Sequence, residues 1–152
     1  MKAKILLTAL AALILAAAVF FWHQDHEYRL LHGRVTEVGL LSWDQEVDND
    51  VSGKPVLVYF YKEGQENADQ DKVVHEFAWD HAYDVKVVAV NCSHVENFPL
   101  ALGHGVLRFP TFVVVAGDKE VTGASGGMSS EAELNRLLAE LKAAPAPAVT
   151  KP

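Results

Sequence analysis

Sulfur is nearly missing from this chain. Cys92 is the only cysteine among 152 residues, so no intramolecular disulfide can form and cysteine usage says nothing about the compartment. No cysteine follows the apolar N-terminal run, which excludes a bacterial lipoprotein's lipid-attachment site. An excess of positive charge is missing too. Thirteen Lys and Arg against 20 Asp and Glu leave a formal charge of −7, which argues against nucleic acid or an anionic lipid surface as partner. There is no glycine-rich phosphate loop and no internal repeat. A Ser-His-acid triad cannot be assigned, because such triads are recognised in space and not by order.

What is present is enough apolar residue for a real core. Half of the chain is hydrophobic and 22% is charged, ordinary values for one globular domain. The longest apolar run lies at the N-terminus, where Lys2 and Lys4 precede residues 5–22, interrupted only by Thr8. Roughly 18 residues is the lower end of what spans a bilayer as a helix. Trp22 falls where interfacial aromatics anchor such a helix. A basic start, an apolar centre and small residues at Ala16, Ala17 and Ala18 also suit a cleaved signal peptide. Cleavage after Ala18 would leave Val19, Phe20, Phe21 and Trp22 as an exposed apolar terminus, so an uncleaved signal-anchor over residues 1–22 is the favoured expectation. The positive-inside rule then puts Lys2 and Lys4 in the cytoplasm. For a bacterial source the remainder lies in the periplasm on a single-pass inner-membrane anchor; the alternative is secretion to the periplasm after cleavage near Ala18. Residues 23–33 read as a polar juxtamembrane spacer able to continue the anchor helix.

Beyond the spacer, residues 34–38 alternate as a short strand. Residues 42–47 read as a helix capped by Ser42, with Gln45 three residues on. A turn cluster at 48–53 precedes residues 55–61, a continuous apolar and aromatic run that fits a strand buried on both faces. Val73, Val74, Phe77 and Ala78 recur at helical spacing within 67–81. Residues 85–90 form another buried strand, and a short helix over 96–103 ends at glycine. Residues 111–116 and 120–123 make a hairpin turned at Gly117-Asp118. Ser130 and Glu133 form a capping box ahead of Leu134, Leu137, Leu138 and Leu141 on one helical face. Residues 143–152 alternate Pro and Ala and read as a disordered tail. Helices between strands imply a largely parallel core with an antiparallel hairpin at its edge.

This order, with Pro110 just before the fourth strand, resembles the thioredoxin fold over about residues 34–141. The segments that carry the resemblance are Gly53-Lys54-Pro55-Val56-Leu57-Val58, Val88-Ala89-Val90-Asn91-Cys92, Gly105-Val106-Leu107-Arg108-Phe109-Pro110-Thr111 and Gly126-Gly127-Met128-Ser129. The fold implied is α/β, a central mixed sheet (β-α-β-α-β-α-β-β-α) flanked by helices over residues 34–142, preceded by a transmembrane or signal helix. The resemblance also implies a cis bond before Pro110.

Catalytic thioredoxins carry Trp-Cys-x-x-Cys after the central strand, because one thiol attacks and a second resolves the mixed disulfide. Aligned on Phe60, that motif falls on Gly64-Gln65-Glu66-Asn67-Ala68, with Gln65 and Ala68 at the thiol positions. The family's buried aspartate corresponds to Tyr59 and its partner lysine to Ala89. The resemblance therefore implies a member without the Cys-x-x-Cys motif, with no catalytic residue and no cofactor. What it leaves is a peptide groove formed by Tyr61, Gly64, Gln65, Glu66, Asn67, Ala68, Phe109, Pro110 and Thr111, where Phe109 and Thr111 would pair with a partner strand.

Other candidates are weaker. Cys92 reads as a small buried hydrophobe. Asp48 to Gly53 begins like a calcium loop, but the twelfth position is Tyr59 where a glutamate is needed. His23, His26 and His32 have no organised fourth ligand and read as solvated spacer. His75 and His81 fall on different helical faces, and His104 reads as a loop residue. Trp43 and Trp79 are expected to pack in or near the core. No metal site is expected.

The expected function is a redox-inactive, membrane-anchored thioredoxin-like domain held through residues 5–22. It would act as a protein-interaction, scaffold or assembly module, such as an accessory subunit of an inner-membrane complex, with protein partners and no nucleic acid. The alternatives are a thiol-disulfide oxidoreductase-related protein working through Cys92 or a partner's thiols, and a secreted soluble peptide-binding protein.

Overall fold

The computed structural model of the chain describes residues 2–64, 68–123, 126–127 and 129–143, with side chains from residue 10 onward. Helix α1 (Lys2–His32) leads into β1 (Thr36–Glu37), β2 (Val56–Tyr61), α2 (Ala68–Asp80), β3 (Lys86–Asn91), α3 (Phe98–Gly103), β4 (Thr111–Ala116), β5 (Lys119–Thr122) and α4 (Glu131–Ala143). The strands form one sheet in the order β1-β3-β2-β4-β5. β1 and β2 run parallel to β3, whereas β4 is antiparallel to β2 and β5 to β4. The sheet is thus less parallel than helices between strands suggested. Six-residue α3 rises only about 9 Å, too short to carry the chain back along a six-residue strand of about 20 Å. The next strand therefore starts at the end of the sheet where β3 finished.

β2 is the centre, and all of it except Tyr61 is buried. Its alternation sends Leu57 and Tyr59 to one face and Val58 and Phe60 to the other. The first face is closed by α2 and α4, through Val74, Phe77, Leu134, Leu137, Leu138 and Leu141. The capping box at the start of α4 forms: Ser130 N–H donates to Glu133 Oε2 at 2.8 Å and Glu133 N–H to Ser130 Oγ at 3.4 Å. The second face is closed by Val38, Trp43, Val47, Ala101 and Val106. Gly117 turns the β4–β5 hairpin at φ 58°.

One local expectation is corrected and two are refined. The helix expected over 42–47 is a single π turn, Asp44–Asp48, and Ser42 does not cap it. Its hydroxyl instead accepts from Gly39 N–H at 3.2 Å, closing the preceding turn. His104 lies in the turn after α3, as expected, where it sits 5.0 Å from the Trp43 ring with its Nδ1 2.7 Å from Glu120 Oε2. Most consequentially, residues 23–32 are more than a solvated spacer: His23 and His32 stay exposed, but Asp25, His26, Tyr28 and Arg29 are partly buried. They continue α1 and dock on the domain, where Arg29 Nη1 donates to the Trp79 carbonyl at 2.9 Å and His26 meets the Trp79 ring edge-on at 5.8 Å.

Among the described residues no helix is long and apolar enough to cross a membrane. The expected span begins at Ile5, and the side chains of residues 2–9 lie outside the described residues. Those that follow expose large apolar groups, among them Leu13, Ile14, Leu15, Phe20, Phe21 and Trp22. Apart from Ala143, the Pro/Ala tail also lies outside the described residues.

Candidate functional site

The loop before β4, at the end of the sheet where β2 and β3 finish, carries Phe109, Pro110 and Thr111 of the expected groove. The Phe109–Pro110 peptide is cis. Phe109 and Pro110 are half-buried, and Thr111 is fully buried as the register partner of Phe60, its hydroxyl donating to the Arg108 carbonyl at 2.7 Å. Gly126 N–H donates to the Pro110 carbonyl at 2.9 Å, and a Cβ on Gly126 would lie 3.0 Å from the Arg108 Cβ. Phe98 from α3 packs edge-on against Phe109 at 6.1 Å, and the Lys62 ammonium lies over both rings, 5.1 and 5.0 Å from their centroids. Such cation–ring contacts screen apolar surface while leaving a charge outside.

Cys92 lies just beyond β3, its N–H donating to the Tyr61 carbonyl at 2.7 Å. The residue is 3% exposed and packs in the second core with Phe60 and Val90, Phe98 and Phe109 lying against it. Burial pushes the thiol up to about 11, although Lys62 pulls the other way. At pH 7 that leaves roughly one thiolate in ten thousand molecules, and the thiolate is the form that attacks a disulfide.

Tyr61 does not join Phe109. The strand alternation puts it on the α2 face with Tyr59, the two rings stacked at 5.1 Å. Tyr61 OH donates to Glu37 Oε1 at 2.6 Å and Tyr59 OH to Asp71 Oδ1 at 3.0 Å. Burial first, then these carboxylate bonds, pushes both phenols far above their ordinary value, so both stay protonated donors. Gly64 and Ala68 are exposed, whereas Gln65, Glu66 and Asn67 lie outside the described residues. Tyr59 and Ala89 are direct register partners across β2 and β3.

A polar network at this end had no signal in the sequence. Asn91 Nδ2 donates to Glu63 Oε1 at 2.7 Å, Glu63 N–H to Ser93 Oγ at 2.9 Å, and Asn97 Nδ2 to the Asn91 carbonyl at 2.9 Å. Leu40 N–H donates to Asn97 Oδ1 at 3.1 Å. The network ties three loops together at the sheet end. Each residue alone looks like a solvated turn residue, so only their meeting in space reveals it. The acidic turn also has structural employment: Asp48 Oδ1 accepts from Trp43 Nε1 at 3.0 Å, and Asp50 Oδ1 lies 2.8 Å from Lys86 Nζ.

No protein-family model and no curated protein matches this chain. Solved structures do. Spinach chloroplast thioredoxin F has a TM-score of 0.57 and 24% identity, covering 78% of this chain and 92% of its own. Chloroplastic thioredoxin z has a TM-score of 0.60 and 16% identity, covering 73% and 96%. The J-Trx1 fragment of ERdj5 has a TM-score of 0.56 and 22% identity, covering 70% of this chain but 49% of the fragment, so the chain spans about half that fragment's length. At these identities the likeness shows architecture: an α/β thioredoxin-like fold with a mixed five-stranded sheet flanked by helices.

Proposed function

We propose that this chain is a redox-inactive domain of thioredoxin-like fold, anchored in the inner membrane by its N-terminal helix and facing the periplasm. It serves there as a protein-interaction, scaffold or assembly module. A chain with one cysteine has no pair of thiols, and the observation that carries the non-redox half is the burial of that one thiol with its raised pKa. The anchor half is supported by the exposed apolar side chains along α1 up to Trp22, which nothing else in the described chain covers. The surface of Phe98 and Phe109 beside Pro110 is the place for a protein partner, since two half-buried rings meet there at the end of the sheet.

Three measurements test this reading. Insulin-disulfide reduction is expected to be absent; turnover lost on Cys92→Ser would establish the oxidoreductase alternative instead. Alkaline carbonate extraction is expected to leave the chain in the membrane pellet, whereas a mature protein beginning at Val19 would establish the secreted form. Purification in mild detergent is expected to retain a stoichiometric protein partner, and its absence would remove the assembly role.

A further inference from the structure

A cleft of about 160 Å³ opens on the α2 side of the sheet, between β1 and α2, lined by Glu37, Tyr59, Tyr61, Asp71, His75 and Ala89. Ala89 contributes only a methyl group to its floor, which leaves space that a longer side chain would fill. The stacked Tyr59 and Tyr61 rings, 14° from parallel, form one wall. Their hydroxyls fix the Asp71 and Glu37 carboxylates, yet neither carboxylate has a lysine or arginine partner among the described residues. Each carboxylate keeps acceptor capacity after its one phenol bond.

We propose that this cleft binds a basic group at the end of a short alkyl chain, an ammonium or guanidinium, supplied by a lysine or arginine side chain of a protein or by a free amine. The aromatic wall takes the alkyl stem and the cation's approach, and the two carboxylates take charge-assisted hydrogen bonds. An anion would meet two negative groups. A neutral apolar ligand would strip water from both carboxylates without replacing their hydrogen bonds. The inference stands on this cleft alone and does not depend on the anchor or on the state of Cys92.

The test is an amide-shift titration of the full-length, ¹⁵N-labelled protein in detergent micelles at constant ionic strength. The probes are n-butylammonium chloride, N-acetyl-lysine methylamide and, as the neutral control, n-butanol. Saturable shifts at Glu37, Tyr61, Asp71 and Ala89 are expected with both cations and not with n-butanol. Glu37→Gln is expected to weaken n-butylammonium binding about fivefold, and Ala89→Leu, which fills the cleft, to abolish it. Glu37 is exposed, so its variant keeps the test readable even if Ala89→Leu does not fold. Tighter binding of the capped lysine assigns the cleft to a protein side chain, and tighter binding of n-butylammonium to a free amine. Equal shifts with n-butanol, no cation-dependent shift at all, or undiminished binding in both variants overturns the proposal.

Discussion

Tyr28 and Tyr83 stack face to face, their ring centroids 4.2 Å apart and their planes 2° from parallel. The pair joins α1 to the loop after α2, and polar contacts surround it. Tyr83 OH donates to Asp25 Oδ1 at 2.8 Å, Arg29 Nε to Asp25 Oδ2 at 3.0 Å, and Lys54 Nζ to Tyr28 OH at 2.7 Å. The N-terminal helix is therefore packed on the domain and does not act as a loose tether. The Tyr83 hydroxyl, and after it Arg29, hold the Asp25 carboxyl below its ordinary value of 3.8. A lowered folded pKa contributes docking strength above that ordinary value, and the contribution is lost as pH falls through the folded one. Amide exchange over residues 23–32 is expected to speed up in Arg29→Ala at neutral pH, and in the wild type only below pH 3.8, while α4 stays protected. Unchanged exchange in both cases would show that the contact holds nothing.

Gly33 sits where α1 ends against α2. A Cβ there would lie 2.8 Å from the Arg29 carbonyl oxygen and 3.1 Å from the Trp79 Cα. Both are backbone atoms, so the helix must shift. Gly33→Ala is expected to cost about 1–3 kcal/mol, read as a lower denaturant midpoint, with the exchange pattern of undocked residues 23–32.

Lys86 Nζ lies 2.8 Å from both Glu46 Oε2 and Asp50 Oδ1, and donates to the Glu46 carbonyl at 2.9 Å. Burial alone would raise Asp50, but hydrogen bonds from Lys86 and Ser52 outweigh it and hold the carboxyl low. Burial alone would lower Lys86, but the Asp50 and Glu46 carboxylates raise it. The Asp50 contribution is present above its unfolded value and lost in acid below 3.8; the Lys86 contribution is present below 10.5 and lost as pH rises through its raised value. Lys86→Met is expected to cost about 1–3 kcal/mol near neutrality and to flatten the stability profile at both ends, measured by urea unfolding across pH.

Gln70 is fully buried in the first turn of α2. Its Nε2 donates to the Ser129 carbonyl at 3.0 Å and its Oε1 accepts from Ser129 N–H at 2.6 Å. Gln70→Leu leaves both backbone groups without a partner and is expected to cost about 2–4 kcal/mol. Chemical unfolding checks the size of the loss.

Cys92 is expected to resist alkylation in the folded protein and to react fully once unfolded. Its pKa rises from 9.0 to about 11 on folding. Between those values the unfolded chain releases a proton that the folded one keeps, so stability falls as pH climbs through that window. Cys92→Ala is expected to flatten that alkaline slope, measured by urea unfolding.

Much of the architecture was legible because it follows from short-range pattern. The period-two and period-3.6 apolar repeats set β2, β3, β4 and α4 to within a residue or two, and Ser130 with Glu133 marked the start of α4. The turn before β2 was readable as a polar cluster, but not the capture of Asp50 by Lys86, 36 residues away. The groove residues were legible only as a string. Strand alternation then divided Tyr61 from Phe109, which face opposite sides of the sheet.

By itself the sequence determined the order of elements from β2 to α4, the single thiol and the apolar start. These are properties of composition and local periodicity, which need no knowledge of what lies across the sheet. Only the tertiary structure decided that residues 23–32 dock through Tyr28 and Tyr83, that Tyr61 and Phe109 part to opposite faces, and that Ala89 leaves a cleft between two carboxylates. Each of these depends on groups brought together from distant parts of the chain, where burial and hydrogen bonding, not residue type, decide the chemistry.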